Sequence, residues 1–258
     1  MKRAVIIILD GVGIGAAPDA VAYGDTGSDT LGNVARACGG LALPRLERFG
    51  LGNIKDIDGL KRRGDASGAW GSMRPASAGK DSTAGHWEIA GIHLERPFPT
   101  FPRGFPPDVL ERFSRETGRS VIGNIVASGT EIIDRYGAEH QKTGSWIVYT
   151  SADSVFQVAA HEGLVPLAEL YRACELARQI LRPPYDASRV IARPFTGEPG
   201  SYQRTANRRD YSIAPPSETL LDALREAGVA RSGVGKVDDL FGGRSIESRH
   251  TASNAEGI

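Results

Sequence analysis

Arg96-Pro97-Phe98-Pro99-Thr100-Phe101-Pro102-Arg103-Gly104-Phe105-Pro106-Pro107 decides how the chain is divided. It holds five prolines in twelve residues. Proline has no amide donor and a fixed φ, so neither a helix interior nor a central strand runs through such a stretch. It reads as a linker. A second breaker cluster, Ala214-Pro215-Pro216-Ser217, lies far downstream. Between the two the pattern is α/β: a helix over Pro107–Thr117, strands over 120–126 and 145–150, an amphipathic helix over 164–181 and a strand over 188–193. The simplest architecture is an α/β domain with a second α/β domain inserted into it. Residues 1–98 form its first part, 99–215 the insert and 216–258 the second part.

Outward from the insert the signals are shorter. Ala4-Val5-Ile6-Ile7-Ile8-Leu9 has the β-branched run of a strand buried on both faces of a parallel sheet. Gly11 to Gly27 reads as loop. Ser28 or Asp29 caps a helix over Thr30–Cys38, which Gly39 and Gly40 stop. Another short helix covers 44–49. The stretch 68–91 is rich in Gly and Ser and reads as a loop system of the kind that carries active sites. Downstream, Ser217 is the expected N-cap of a helix ending at Gly228, and 231–237 offers a strand. There is no internal repeat and no low-complexity tract.

Composition narrows the function classes. The chain has 258 residues, with 31 Lys and Arg against 31 Asp and Glu, so the net charge is zero. A global basic field for nucleic acid is excluded. Cys38 and Cys174 are the two cysteines, with no CxxC spacing, and read as ordinary reduced thiols. No apolar run approaches the ~20 residues of a membrane span. The six-residue apolar start ends at Asp10 with no small-residue cleavage site, so the expectation is a soluble cytoplasmic protein.

Four stretches carry candidate chemistry. Asp10 stands at the end of the first expected strand, where open α/β sheets bind ligands. A metal ligand and a turn-capping Asp are both open there. Gly11-Val12-Gly13-Ile14-Gly15-Ala16 imitates a dinucleotide fingerprint, but Pro18, Gly24 and Gly27 leave no helix to receive the pyrophosphate. Gly79-Lys80-Asp81-Ser82-Thr83-Ala84-Gly85-His86-Trp87-Glu88 sets two adjacent hydroxyls between glycines, with Lys80 and His86 to offset anionic charge. A hydroxyl activated by a base or a metal becomes a nucleophile, and with Asp10 as a hard donor Mg²⁺ or Mn²⁺ suits better than zinc. The plain alternative is a Ser/Thr helix cap. Tyr149-Thr150-Ser151-Ala152-Asp153-Ser154 follows a strand end directly, which is either a ligand site or a polar turn. Last, Arg189, Arg193, Arg204, Arg208 and Arg209 cluster in the insert, as a phosphate pocket or a solvated basic face. Trp70, Trp87 and Trp146 read as packing groups, and no His pair has ligand spacing.

Taken together, these motifs resemble the bacterial phosphopentomutases. The residues that carry the resemblance are Leu9-Asp10-Gly11-Val12-Gly13-Ile14-Gly15, Pro18-Asp19-Ala20, Tyr23-Gly24-Asp25, Gly27-Ser28-Asp29-Thr30-Leu31-Gly32-Asn33, the Lys80 to Glu88 run, Phe98-Pro99-Thr100-Phe101-Pro102, Gly104-Phe105-Pro106, the run from Tyr149 to Gln157, and Gly233-Val234-Gly235-Lys236-Val237. They span essentially the whole chain in order. The resemblance implies an alkaline-phosphatase-like core sheet with an inserted α/β cap domain at 99–215. It implies interconversion of ribose 1-phosphate and ribose 5-phosphate, and of the deoxyribose pair, with two Mn²⁺ ions and a phosphorylated threonine. By matching motif Thr83 is that threonine and a metal ligand, and Asp10 is a second ligand. Ser151, Asp153, Arg193 and Lys236 are the implied substrate contacts. Small sugar phosphates are the implied partners, with no nucleic acid, membrane or protein partner. The family draws most metal ligands from a C-terminal section with an Asp-His-Gly motif, which this chain does not contain. The core is therefore expected to be incomplete and the chain alone impaired. Two alternatives stand beside this: a phosphosugar-binding remnant without catalysis, and another mutase or phosphatase of the same superfamily.

Overall fold

The computed structural model describes residues 3–251 and 253–258. Contacts divide the chain into two units, Met1–Ala76 and Ser77–Ile258, and each is described by itself. The first is mostly loop. It holds helices α1 (Thr30–Cys38) and α2 (Pro44–Arg48), with 3₁₀ turns at Ala20–Tyr23 and Leu51–Asn53. Asp29 caps α1 by accepting from Gly32 N at 3.3 Å, and Gly39 stops it at φ 71°. The same carboxylate accepts from Gly15 N at 2.9 Å and pairs with Lys55 Nζ at 2.5 Å. The hydrogen bond from Lys55 holds the Asp29 carboxyl below its ordinary range.

The strand expected over 4–9 is not formed. These residues carry no regular structure, and Val5 and Ile7 are 80% and 82% exposed. A parallel strand exists only through hydrogen bonds to neighbours, and no strand among the described residues pairs with this segment. Trp70 also departs from the packing role, being half exposed.

The second unit opens with α3 (Ser82–Ile89) and α4 (Pro107–Thr117), then β1 (Val121–Val126), α5 (Gly129–Thr143), β2 (Trp146–Thr150), β3 (Val155–His161), α6 (Leu167–Ile180) and β4 (Arg189–Thr196). There follow β5 (Gln203–Arg204), β6 (Arg209–Ser212), α7 (Leu220–Glu226), β7 (Gly233–Val234), α8 (Val237–Leu240), β8 (Ser248–Arg249) and α9 (Asn254–Gly257). β1 to β6 make one mixed sheet. β1 pairs β2 in parallel and β3 pairs β4 in parallel, while β2 and β3 join the two pairs antiparallel. β5 and β6 both add antiparallel to β4, and β7 and β8 form a separate two-stranded ribbon. The chain is thus mixed α/β. Its large sheet lies wholly within the segment expected to be the insert.

The sheet is covered on both faces. Trp146, Val148, Phe156, Val158, Val190 and Ala192 pack with α4 and α6 through Phe113, Leu170 and Cys174. Ile147, Tyr149, Ala159 and Phe195 pack on the other face with α5 through Ile132 and Ile133. This is the period-2 alternation of strands between two layers. α5 lies so close that Tyr202 presses on Gly137, where any side chain would collide with its ring. A third cluster joins Trp87 and Ile92 to Leu240 and Phe241, with Trp87 Nε1 donating to Leu240 O at 2.8 Å.

The proline-rich stretch is fastened to the sheet. Asn124, at φ 54° in a bulge of β1, uses both ends of its amide on Phe105: Oδ1 accepts from N at 2.7 Å and Nδ2 donates to O at 3.1 Å. Phe101 and Phe105 then enter the α4–α6 core. Elsewhere the caps shift. Helix α7 is capped by Thr219 rather than Ser217, because Asp222 completes a reciprocal capping box with Thr219. The strand expected over 231–237 shrinks to β7, since Val237 already begins α8.

A buried imidazole spans the α5 side. His140 is fully buried, with Nδ1 2.7 Å or less from a carbonyl: it donates to Ser145 O at 2.6 Å while Nε2 accepts from His161 N at 2.9 Å. That pair of bonds needs the neutral ring, and burial pushes its pKa down. A base with a depressed folded pKa contributes stability above its unfolded value of about 6.5, lost as pH falls from there toward the folded value. Thermal stability of the chain should therefore fall as pH drops below about 6.5, and His140→Gln should flatten that slope whatever it does to absolute stability.

Candidate active site

The antiparallel join between β2 and β3 makes a short polar turn, Ser151 to Ser154, at the carboxyl end of β1 and β2. Ligands of α/β sheets bind at such ends. Ser151 Oγ accepts from Asp153 N at 3.3 Å, which orders the turn. Because β3 and β4 run parallel in register with Val155 opposite Arg189, the turn faces the start of β4. Asp153 Oδ2 there meets Arg189 Nη2 at 3.4 Å. Arg189 also reaches Asp210 of β6 at 3.4 Å, and Arg208 holds Asp210 with two bonds of 2.6 Å. The Arg189 side chain is almost fully buried, and its Nε has no partner.

Thr83 lies in α3, whose N-cap Asp81 feels this network. Asp81 is the N-cap, accepting from Ala84 N at 3.0 Å, and Ser82 and Thr83 form the first turn. The stretch read as loop is therefore a helix from Ser82 onward. Asp81's pKa is raised, first by burial; Arg189 opposes the rise and Asp153 reinforces it, so all three share one electrostatic neighbourhood. Thr83 is 0% exposed and its hydroxyl has no hydrogen-bond partner. A buried orphan hydroxyl is costly, by about 1–3 kcal/mol, and uncommon in a native interior.

Arg193 falls elsewhere. It lies on the same face of β4 as Arg189 but points to Gln157, donating from Nε to Oε1 at 3.1 Å. The sequence places Arg189 in the arginine cluster but gives the substrate-contact role to Arg193; only the strand register reveals that Arg189, and not Arg193, meets Asp153. Asp81 and Asp210 were passed over. Lys236 is half-buried at the N-cap of α8. Asp10 stands in an exposed turn of the first unit. Among the described residues one group of three potential metal ligands occurs, Asp238, Asp239 and His250, with ligand atoms within 4.8 Å of one another. It includes neither Asp10 nor Thr83, and His250 Nε2 already contacts Asp238 at 2.9 Å. Burial, with Asp210 and Asp238 nearby, pushes Asp239 up to about 6.

A mixed sheet with a polar turn, a buried arginine and an orphan hydroxyl gathered at one end has the form of a small-molecule-binding α/β protein. No family model matches the chain. It is 56% identical over 259 residues to a phosphopentomutase of Dictyoglomus thermophilum, 55% over 260 to one of Desulfitobacterium hafniense and 52% over 259 to one of Clostridium novyi. Each alignment covers all of this chain and 66%, 67% and 66% of the relative, so the chain spans about two thirds of their length. The chain belongs to the phosphopentomutase family.

Arg189 balances two carboxylates from inside the sheet. Arg189→Met should cost about 1–3 kcal/mol in urea unfolding, since Asp153 and the buried Asp210 each lose a charged partner while Arg208 still holds Asp210. An unchanged midpoint would show that the network holds nothing together.

Proposed function

We propose that this chain carries the nucleophile and the sugar-phosphate contacts of a mutase that interconverts ribose 1-phosphate and ribose 5-phosphate, and the deoxyribose pair. The observation that carries the reading is Thr83: a fully buried hydroxyl without a partner, in the first turn of a helix whose N-cap, Asp81, feels the charges of Arg189 and Asp153. A phosphoryl group on its oxygen would gain from the helix N-terminus and from Arg189. Phospho-Thr83 gives its phosphoryl group to the free hydroxyl of the sugar phosphate, leaving a 1,5-bisphosphate. Thr83 Oγ then takes the other phosphoryl group, and the isomer is released. Ser151 and Asp153 are suited to the sugar hydroxyls, and Arg189 and Arg193 to phosphate oxygens. Lys236 belongs to the same proposed set. Residues 99–215 would act as a cap over an alkaline-phosphatase-like core, which keeps water from the phosphothreonine. In support, two of the three apolar clusters lie within that segment, while the buried residues of the third lie on either side of it. The setting is a soluble, cytoplasmic enzyme; among the described residues no helix is long and apolar enough to cross a membrane.

The expected manganese pair fits these residues only in part. Mn²⁺ bound at such a site neutralises phosphate charge and lowers a hydroxyl's pKa. Thr83 and Asp10 are hard oxygen donors of the right kind, but an ion takes about six ligands and a pair needs more. Among the described residues, Thr83 and Asp10 do not by themselves make up a two-ion centre.

Two outcomes test the reading. In an enzyme of the relatives' full length carrying this segment, Thr83→Val should abolish turnover and labelling by ³²P-bisphosphate, while Ser82→Ala keeps both; label on Ser82 would sink the assignment. The 258-residue chain by itself, given excess Mn²⁺ and a bisphosphate activator, should convert ribose 1-phosphate far below the ~1–10³ s⁻¹ of ordinary enzymes. Binding of ribose 5-phosphate without turnover would match the second reading of this chain, a phosphosugar-binding part.

A further inference from the structure

Trp87 lies where three parts of the second unit meet. It follows Thr83 by one turn of α3, so the two side chains stand on one face of the helix, and they are 1% and 0% exposed. A buried tryptophan fills space like any large aromatic, but its one N–H also needs an acceptor. Here Nε1 donates to Leu240 O at 2.8 Å, and Leu240 is the last residue of α8. The neighbouring α8 carbonyls are met by the chain that follows: Asp238 O accepts from the Phe241 and Gly243 amides, and Asp239 O from that of Gly242. Leu240 O takes the indole.

α8 has four residues. So short a helix has little stability of its own, and its place is set by what it packs on. Its N-cap is Lys236, whose carbonyl accepts from Leu240 N at 3.2 Å. Two hydrogen bonds in series therefore lead from α3 to the Lys236 backbone. On the far side Gly235, at φ 84°, turns the chain into Lys236 and donates from N to Arg249 O at 3.0 Å. The third part is the proline-rich crossing. Phe98 meets the Trp87 ring edge-on, with centroids 5.6 Å apart, and the next residue, Pro99, accepts from Ser154 Oγ beside Asp153. Apolar contact is non-directional, whereas a hydrogen bond to a fixed backbone carbonyl sets both distance and direction. The indole N–H therefore supplies what packing in this cluster does not, a defined register between α3 and α8.

We propose that Trp87 is a positioning residue: through its bond to Leu240 it holds the Lys236 turn in register with the Thr83 helix, so that a sugar phosphate contacted by Lys236 meets the Thr83 oxygen. The proposal rests on the reading of Thr83 and Lys236 above, while the link from α3 to α8 rests on its own hydrogen bonds.

The test has two arms. In the 258-residue chain, Trp87→Phe keeps a ring and loses the N–H. Hydrogen exchange at the Leu240 amide should then speed up about tenfold, with exchange in β3 unchanged. In an enzyme of the relatives' full length carrying this segment, the same variant should raise KM for ribose 5-phosphate about tenfold, change kcat far less and keep ³²P labelling at Thr83. Lys236→Met should raise KM as well, and Trp87→Phe added to it should make it no worse, because both act through one contact. Gly235→Ala, which strains the same turn without touching α3, should also raise KM. Unchanged exchange at Leu240, effects of Trp87→Phe and Lys236→Met that multiply in full, or loss of labelling together with turnover in Trp87→Phe each overturn the proposal. So does an unchanged KM in Gly235→Ala, which decides the matter even if Trp87→Phe does not fold. Label that survives Thr83→Val would instead sink the phosphothreonine reading, whatever the Trp87 variant does, so the two failures are told apart.

Discussion

One buried hydroxyl fastens the parts that matter. Ser154 Oγ donates to Pro99 O at 2.5 Å and accepts from Ser188 N at 3.1 Å, while Ser154 O accepts from Ser188 Oγ at 2.8 Å. A single residue thus joins the proline-rich crossing, the start of β3 and the approach to β4. Remove that hydroxyl and the Ser188 amide and Pro99 carbonyl both lose their partner inside the protein, where an unmet polar group is expensive. The Asp153–Arg189 contact depends on the same junction, because it exists only while the β2–β3 turn and the head of β4 are held side by side. Asn124 repeats the device at the other side of the crossing by standing in for a strand neighbour of Phe105.

Charge is arranged unevenly around this frame. Carboxylates and arginines alternate from Asp153 through Arg189 and Asp210 to Arg208, so that end of the sheet is internally balanced. The α5 side carries guanidiniums with no such balance. A net charge of zero for the chain hides this difference. Local imbalance, and not the total, is what selects an anionic ligand.

Much of the insert's layout was legible because its elements are bounded by strong breakers. Pro107–Thr117 is helical over the expected range, with Pro at its first turn and Gly118 at φ 74° after it. The strand at 4–9 was misread because β-branched composition states a preference but supplies no partner. β3 was missed because its first residues sit in the polar run that was read as a site loop, and α5 because Gly129, Gly137 and His140 weaken its apolar period. For the site, the chemistry-bearing residue types could be seen in the chain, but the register that sends Arg189 to Asp153 and Arg193 to Gln157 is a long-range property. No local pattern encodes it.

The three tryptophans are distributed in a way that has an optical consequence. Trp146 is sealed in the α4–α6 core, Trp87 is sealed in the cluster around α8, and Trp70 is half exposed in the first unit. Each region therefore contains its own indole, in a dry setting for two of them and a wet one for the third. Emission from the buried pair should be blue and shielded from collisional quenchers, and that of Trp70 red and open to them. Natural fluorescence can then follow loosening of the sheet and of the α3–α8 packing as separate signals, with no dye attached.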